Sequence, residues 1–126
     1  MLDDEDPYWS IDMTDCLFCK MVNREIEPDI VYEDVDVLAF RDVNPQAPTH
    51  VLVIPKAHIA TTNDLDADNA GIVGKLYLAA KQIAADEGIA EPGYRTVMNC
   101  NPGAGQSVYH IHLHLLGGRP LTWPPG

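Results

Sequence analysis

The chain has 126 residues, 46% of them hydrophobic and 21% charged, with a formal net charge of −11 and a pI near 4.5. That length holds one compact domain, and the charge excludes nucleic acid and anionic membrane as partners, because a polyanion is repelled at long range. A small phosphate ester is still admitted, since a few local donors outweigh a screened surface field.

In chain order, residues 1–14 carry Asp3, Asp4, Glu5, Asp6 and Asp12 with little periodic apolar content, and are expected to be a disordered acidic tail ahead of a domain at residues 15–126. An acidic start is the opposite of a secretory signal, and no apolar run approaches the roughly 20 residues that span a bilayer, so the expected location is cytoplasmic. Cys16-x-x-Cys19 suits a metal or reduced thiols better than a disulfide framework. Residues 16–24 read as a short helix with Phe18, Met21 and Val22 facing the body, followed by strands at residues 30–32 and 36–41. Asn44-Pro45-Gln46-Ala47-Pro48 is a turn, and residues 50–54 form a β-prone strand ended by Pro55. Lys56 and His58 beyond it read as solvated surface groups. One long helix follows, with Asp64 or Asp66 as its cap, apolar positions from Ile72 to Ala84 at helical spacing, and Gly88 at its end. Residues 94–98 are the next strand, Asn101-Pro102-Gly103-Ala104-Gly105 is a loop, and residues 107–116 are the last strand, closed by Gly117-Gly118. Strands with short connections and one dominant helix predict an α+β fold with an antiparallel sheet.

Three of the five histidines fall in His110-Ile111-His112-Leu113-His114. On a strand the three imidazoles share one face while Ile111, Leu113 and Leu115 pack behind. Two of them could take one zinc ion, but the outer Cα atoms of the three lie roughly 13–14 Å apart, too far for all to do so. Nucleophilic catalysis accounts for the set better, because a neutral imidazole attacks with one nitrogen while the other is held by a hydrogen bond. The preceding Gly103-Ala104-Gly105-Gln106-Ser107 reads as a phosphate cradle, with Gln106 and Ser107 adding side-chain donors. Taken singly, the neighbouring residues have ordinary readings: Asp42 as a turn cap, Phe40 and Ile26 as core, Asn99 as a loop tie, Cys100 as filler.

The pattern His110 to Leu116 resembles the defining motif of the histidine-triad superfamily. Leu38-Ala39-Phe40-Arg41-Asp42, Pro45-Gln46-Ala47-Pro48-Thr49-His50, Val53-Ile54-Pro55-Lys56, Gly105-Gln106-Ser107-Val108-Tyr109-His110 and Trp123-Pro124-Pro125-Gly126 resemble its Hint branch, so the likeness runs over residues 16–126. The resemblance implies a five-stranded antiparallel sheet with one long and one short N-terminal helix, a homodimer, and hydrolysis of adenosine 5′-phosphoramidates. It makes His112 the nucleophile that carries a covalent nucleotidyl group, with His110, His114 and Ser107 assisting and no catalytic cofactor required. By the same likeness Asp42 binds the ribose, Phe18, Met21, Ile26, Phe40 and Val43 wall the base, and Asn99, Gly105, Gln106, Ser107 and His114 surround the phosphate of the AMP-type nucleotide.

Cys16-Leu17-Phe18-Cys19 departs from animal Hint proteins and resembles metal-bearing microbial relatives. By that likeness a structural Zn²⁺ would be held by Cys16, Cys19, His50 and His110. An arm containing Trp123 would reach the partner's site and influence leaving groups. Dinucleoside polyphosphate cleavage or nucleotidyl transfer by the same nucleophile, and a regulatory protein with a vestigial site, are the competing readings.

Overall fold

In the computed structural model, which describes residues 15–126, five strands form one antiparallel sheet in the order β1-β2-β3-β5-β4. They are β1 (Ile30–Glu33), β2 (Val37–Arg41), β3 (Thr49–Pro55), β4 (Tyr94–Val97) and β5 (Leu113–Gly117). Helix α1 (Leu17–Val22) precedes the sheet, and α2 (Gly71–Asp86) lies between β3 and β4. The expected acidic tail at residues 1–14 lies outside the described residues.

The central strands are apolar at nearly every position because both faces of the sheet are covered. On one face Val37, Ala39, Val51, Val53, Leu113 and Leu115 meet Leu76, Ala79, Ala80, Ile83 and Ala84 of α2. On the other, Leu38, Phe40, Leu52 and Ile54 meet Phe18 and Cys19 of α1, and Cys16, which caps that helix. His110 and His112 lie on this α1 face, against Phe18.

Two expected boundaries move. Asp64 and Asp66 do not cap the long helix. The Asp64 carboxylate completes a capping box with Thr61 around a short 3₁₀ turn, Thr62–Asp64, and Asp66 accepts from the backbone N–H groups of Asp68 and Asn69. The helix proper starts at Gly71 without a side-chain cap. The last strand is also shorter than expected. Its pairing with β3 runs from Thr49↔Gly117 to Val53↔Leu113, and two positions further on the register would set Ile111 against Pro55. Proline has no N–H to donate, so the ladder stops. Ile111 instead donates to the Ile59 carbonyl at 2.7 Å, and alternation persists without the ladder: Ile111 stays in the α2 core.

At the opposite end of β5 the chain passes close to the core. A Cβ on Gly117 would stand 2.6 Å from Cδ1 of Ile89, so only glycine fits as the core stands. Gly118 follows with φ +91°, which turns the chain out of the sheet.

Candidate active site and metal cluster

Strand alternation places His110, His112 and His114 toward the α1 side, and the antiparallel register decides what each one meets. Their rings join a row that takes in every histidine of the chain. His58 lies 5.1 Å from His110 and His50 lies 5.2 Å from His114, centroid to centroid, while His112 and His114 are 5.0 Å apart. Phe18 of α1 presents an edge contact to both His110 and His112, at 5.9 and 5.1 Å.

At one end of the row, Cys16, Cys19, His58 and His110 bring four ligand atoms together. His110 Nδ1 stands 3.5 Å from Cys16 Sγ and 3.6 Å from Cys19 Sγ, while His58 Nδ1 stands 3.3 Å from Cys19 Sγ and 3.2 Å from His110 Nδ1. Tetrahedral zinc with ordinary Zn–S and Zn–N bonds sets these edges at about 3.3–3.8 Å, so the donor set fits that ion. The His110 Nε2–H donates to the Pro55 carbonyl at 2.7 Å, which leaves Nδ1 as a lone pair facing the cluster. Burial pushes the Cys19 thiol up to about 12 and holds His110 down to about 4, so without an ion these groups are neutral.

The fourth position belongs to His58, and the expectation of His50 is corrected. His50 pairs with Leu116 on β5, toward the far end of β3 from Pro55, whose carbonyl marks the cluster. Five residues of strand separate His50 from Pro55, about 16 Å. The reading of His58 as a solvated surface group fails for the same reason: the chain folds back after Pro55 and half-buries it beside the cysteines.

At the other end, hydrogen bonds fix the ring tautomers in sequence. The backbone N–H of Gln46 donates to His50 Nδ1 at 3.0 Å, so the proton of neutral His50 sits on Nε2. That Nε2–H donates to His114 Nδ1 at 2.9 Å, with Asp42 Oδ2 at 3.4 Å. His114 therefore carries its own proton on Nε2. His112 donates from Nδ1 to the His110 carbonyl at 2.8 Å, which leaves its Nε2 as a bare lone pair. Burial lowers the basicity of His50 and His112 and takes His114 down to about 4, with the neighbouring histidines acting in the same direction on His114. The result at neutral pH is an uncharged nucleophilic nitrogen beside an N–H donor.

A pocket of about 490 Å³ opens onto these two rings. Phe18, Met21, Ile26 and Phe40 line its apolar part, Asp42 and Val43 lie on the β2 side, and Ser107 lines it together with His112 and His114. Val43 is 98% exposed, so it borders the pocket as an open flap. Asp42 does form the expected turn, accepting from the Asn44 N–H at 2.8 Å, yet it keeps acceptor capacity toward the pocket.

Asn99, Gly105, Gln106 and Trp123 are not among the residues lining this pocket. Gln106 is corrected as a phosphate donor. Its amide oxygen accepts from Asn101 N–H, and its Nε2 donates to the carbonyls of Ala60 and Val108. The backbone N–H groups of Gly105 and Gln106 are engaged as well, with Pro102 and Asn101. Gln106 thus holds the loop in shape. The same loop carries Asn101 at φ 69° and ψ 172°, a region for glycine, with its Oδ1 buried and unpartnered among the described residues. Composition gives no sign of that strain. Trp123 is 81% exposed on an arm that Arg95 ties down by donating to the carbonyls of Leu121 and Thr122.

The HIT domain family model matches residues 23–121. Purine nucleoside phosphoramidase of Escherichia coli K12 is 56% identical over 83% of this chain and 88% of its own length. A 14 kDa zinc-binding protein of Zea mays is 51% identical over 92% of this chain and 91% of its own. Among solved structures, a HIT family hydrolase from Legionella pneumophila Philadelphia 1 superposes with a TM-score of 0.86 at 58% identity, over 88% of this chain and 99% of that one. The matched span contains the whole sheet and all five histidines, and the chain belongs to the HIT domain family.

Proposed function

We propose that the protein is a purine nucleoside phosphoramidate hydrolase that uses His112 Nε2 as its nucleophile. The observation that carries this reading is the tautomer of His112: Nδ1–H is held by the His110 carbonyl and the lone pair of a neutral ring borders the pocket. The name of the E. coli relative supports the purine and the P–N bond.

The nucleoside fits the main pocket, with the base against Phe18, Met21, Ile26, Phe40 and Val43 and the ribose hydroxyls on Asp42. The His112 Nε2 lone pair attacks phosphorus, and the P–N bond breaks with its electron pair passing to the departing nitrogen. That nitrogen takes a proton, for which the His114 Nε2–H and the Ser107 hydroxyl are the candidate donors. Water then attacks phosphorus and gives up a proton, the P–Nε2 bond breaks, and AMP leaves with His112 restored. His110 acts through its carbonyl as a positioning residue, and Asn99, Gly105 and Gln106 shape the loop that presents Ser107.

Cys16, Cys19, His58 and His110 would hold a structural Zn²⁺, which ties α1 to the segment after β3. Thiolates replace thiols when it binds, so uptake releases protons. The zinc-binding relative in maize supports the same assignment. A homodimer would cover the exposed Tyr77 and Leu78 of α2 together with the β4 edge, and the arm carrying Trp123 would meet the partner's site. Among the described residues no helix is long and apolar enough to cross a membrane. The thiols of Cys16, Cys19 and Cys100, none of them in a disulfide, support a cytoplasmic location.

Mass spectrometry after mixing with an adenosine 5′-phosphoramidate tests the mechanism. An AMP adduct on His112, or turnover that disappears in His112→Ala while AMP still binds, is expected. Near-normal hydrolysis by His112→Ala would refute it.

A further inference from the structure

Cys16 and Cys19 supply half of the four-donor cluster, and they are also a dithiol one helical turn apart. Cys16 caps α1, and its carbonyl accepts from the Lys20 N–H at 3.0 Å, so the turn between the two cysteines is regular. Their Cα atoms therefore stand about 5–6 Å apart, a span that a disulfide bridges without backbone movement. Both sulfurs belong to one set of donor atoms within 4.8 Å of one another. The pair is enclosed, with Cys16 4% and Cys19 6% exposed, yet it is not sealed. Cys16 lines a cavity of about 400 Å³, which Ser107, Val108 and Tyr109 close on the opposite side. A peroxide molecule, little larger than water, enters such a space, whereas a protein oxidant does not reach the sulfurs.

Two contacts carry a change in this pair to the nucleophile. Phe18, between the cysteines in sequence, presents its edge to His112 at 5.1 Å and lines the nucleoside pocket. His110, whose Nδ1 stands 3.5 and 3.6 Å from the two sulfurs, holds His112 Nδ1–H on its carbonyl.

We infer that Cys16 and Cys19 form a peroxide-sensitive switch, in which a Cys16–Cys19 disulfide expels the structural metal and releases the seat of His112. The inference rests on the zinc assignment and the phosphoramidate reading, and adds their regulation. The Cys16 thiolate attacks peroxide: an S–O bond forms, the O–O bond breaks, and the departing hydroxide takes a proton and leaves as water. The Cys19 thiolate then attacks the Cys16 sulfur: an S–S bond forms, the S–O bond breaks, and a second protonated hydroxide leaves as water. The two sulfurs together lose the two electrons that reduce the peroxide. Disulfide sulfur carries no charge and ligates poorly, so only His58 and His110 remain, and two imidazoles do not retain zinc. Helix α1 is then untied from the segment after β3, and Phe18 and the His110 carbonyl lose their fixed positions. Misplacement by about 1 Å near a reacting group costs up to about 10²-fold in rate.

The test uses hydrogen peroxide on the full zinc-loaded chain and on its Cys100→Ser variant, which removes the third thiol. Peroxide should release one zinc per disulfide, read with a chromogenic chelator and a thiol count. The peptide that contains both cysteines should become two hydrogens lighter by mass spectrometry. Hydrolysis of adenosine 5′-phosphoramidate should fall by about 10- to 100-fold, with weaker AMP binding in calorimetry. Both should return on adding dithiothreitol and zinc, which separates the disulfide from methionine oxidation elsewhere, since dithiothreitol does not reverse that damage. Thiols that persist in excess peroxide, zinc lost without the disulfide, or a disulfide that leaves AMP affinity and hydrolysis unchanged would overturn the switch. Reduced protein that binds AMP and hydrolyses no phosphoramidate would remove the phosphoramidate reading alone, because thiol state, zinc content and AMP affinity still decide the switch.

Discussion

Replacing His58 with Ala, beside a parallel His50→Ala, separates the two ends of the histidine row. Four of the six donor pairs of the cysteine cluster already stand 3.2–3.6 Å apart. Zinc would need little movement of these side chains, so most of the intrinsic affinity of a Cys₂His₂ set is retained. Structural zinc in such sets binds with about 10–16 kcal/mol, and an even share gives about 2.5–4 kcal/mol per ligand. Loss of His58 should then weaken zinc by about 10²- to 10³-fold, with water filling part of the gap. His50→Ala should leave zinc affinity within about twofold, because its ring contacts His114 and Asp42 and no cysteine. Elemental analysis of protein purified without added metal, followed by competition with a chromogenic chelator, reads both quantities. Zinc lost from His50→Ala and kept by His58→Ala would refute the assignment. So would wild-type protein with less than about a tenth of an equivalent of zinc and freely titratable thiols.

Asp42→Ala should weaken nucleotide binding by about tenfold or more in calorimetry, since the ribose hydroxyls lose charge-assisted hydrogen bonds; unchanged affinity would remove Asp42 from the site. Gly117→Ala should cost about 1–3 kcal/mol in urea denaturation, because its methyl would press on the Ile89 side chain 2.6 Å away. Stability should also fall with acid. His114 is held near pKa 4, below its ordinary 6.5, so between those values the unfolded chain binds the extra proton. The stabilising difference is present above pH 6.5 and is lost as the pH falls toward 4, by about 1.4 kcal/mol per pH unit for a fully enclosed ring and about half that for one partly open to the pocket. His114→Gln should flatten that slope relative to wild type, and equal slopes would contradict it. Deleting residues 120–126 should change leaving-group preference more than AMP affinity, and unchanged selectivity would deny the arm a role.

Much of the fold was legible because periodicity is a local property. Leu38, Phe40, Leu52 and Ile54 on one face, and Val37, Ala39, Val51 and Val53 on the other, announce a sheet covered on both sides before any contact is known. The side to which His110, His112 and His114 point was legible for the same reason, and so was the turn formed by Asp42. Partners across the sheet were another matter. Whether His50 or His58 meets His110 depends on the β3–β5 register, which Gly117, Thr49 and Pro55 set jointly and which no single segment encodes. The donors of Gln106 misled for a related reason: a glutamine after glycine looks like a phosphate donor, and only the folded chain brings Ala60 and Val108 within its reach.

One peptide group links the two ends of the histidine row. The Nε2–H of His110 is anchored on Pro55, its Nδ1 faces the cysteines, and its carbonyl accepts a hydrogen bond from the His112 Nδ1–H. A shift of the cluster by a fraction of an ångström would move that carbonyl and with it the direction of the His112 lone pair. Phe18 reinforces the link, because its ring touches both histidines and its helix is capped by the Cys16 sulfur, which accepts from the Cys19 N–H. Under the proposed mechanism, a fixed cluster would therefore act as a mount for His112 without touching substrate. At the far end, the main-chain N–H of Gln46 sets His50, and His50 sets His114. The orientation of His112 and His114 is imposed from the backbone at both ends. Both rings can then stay neutral and oriented without a carboxylate bonded directly to His112.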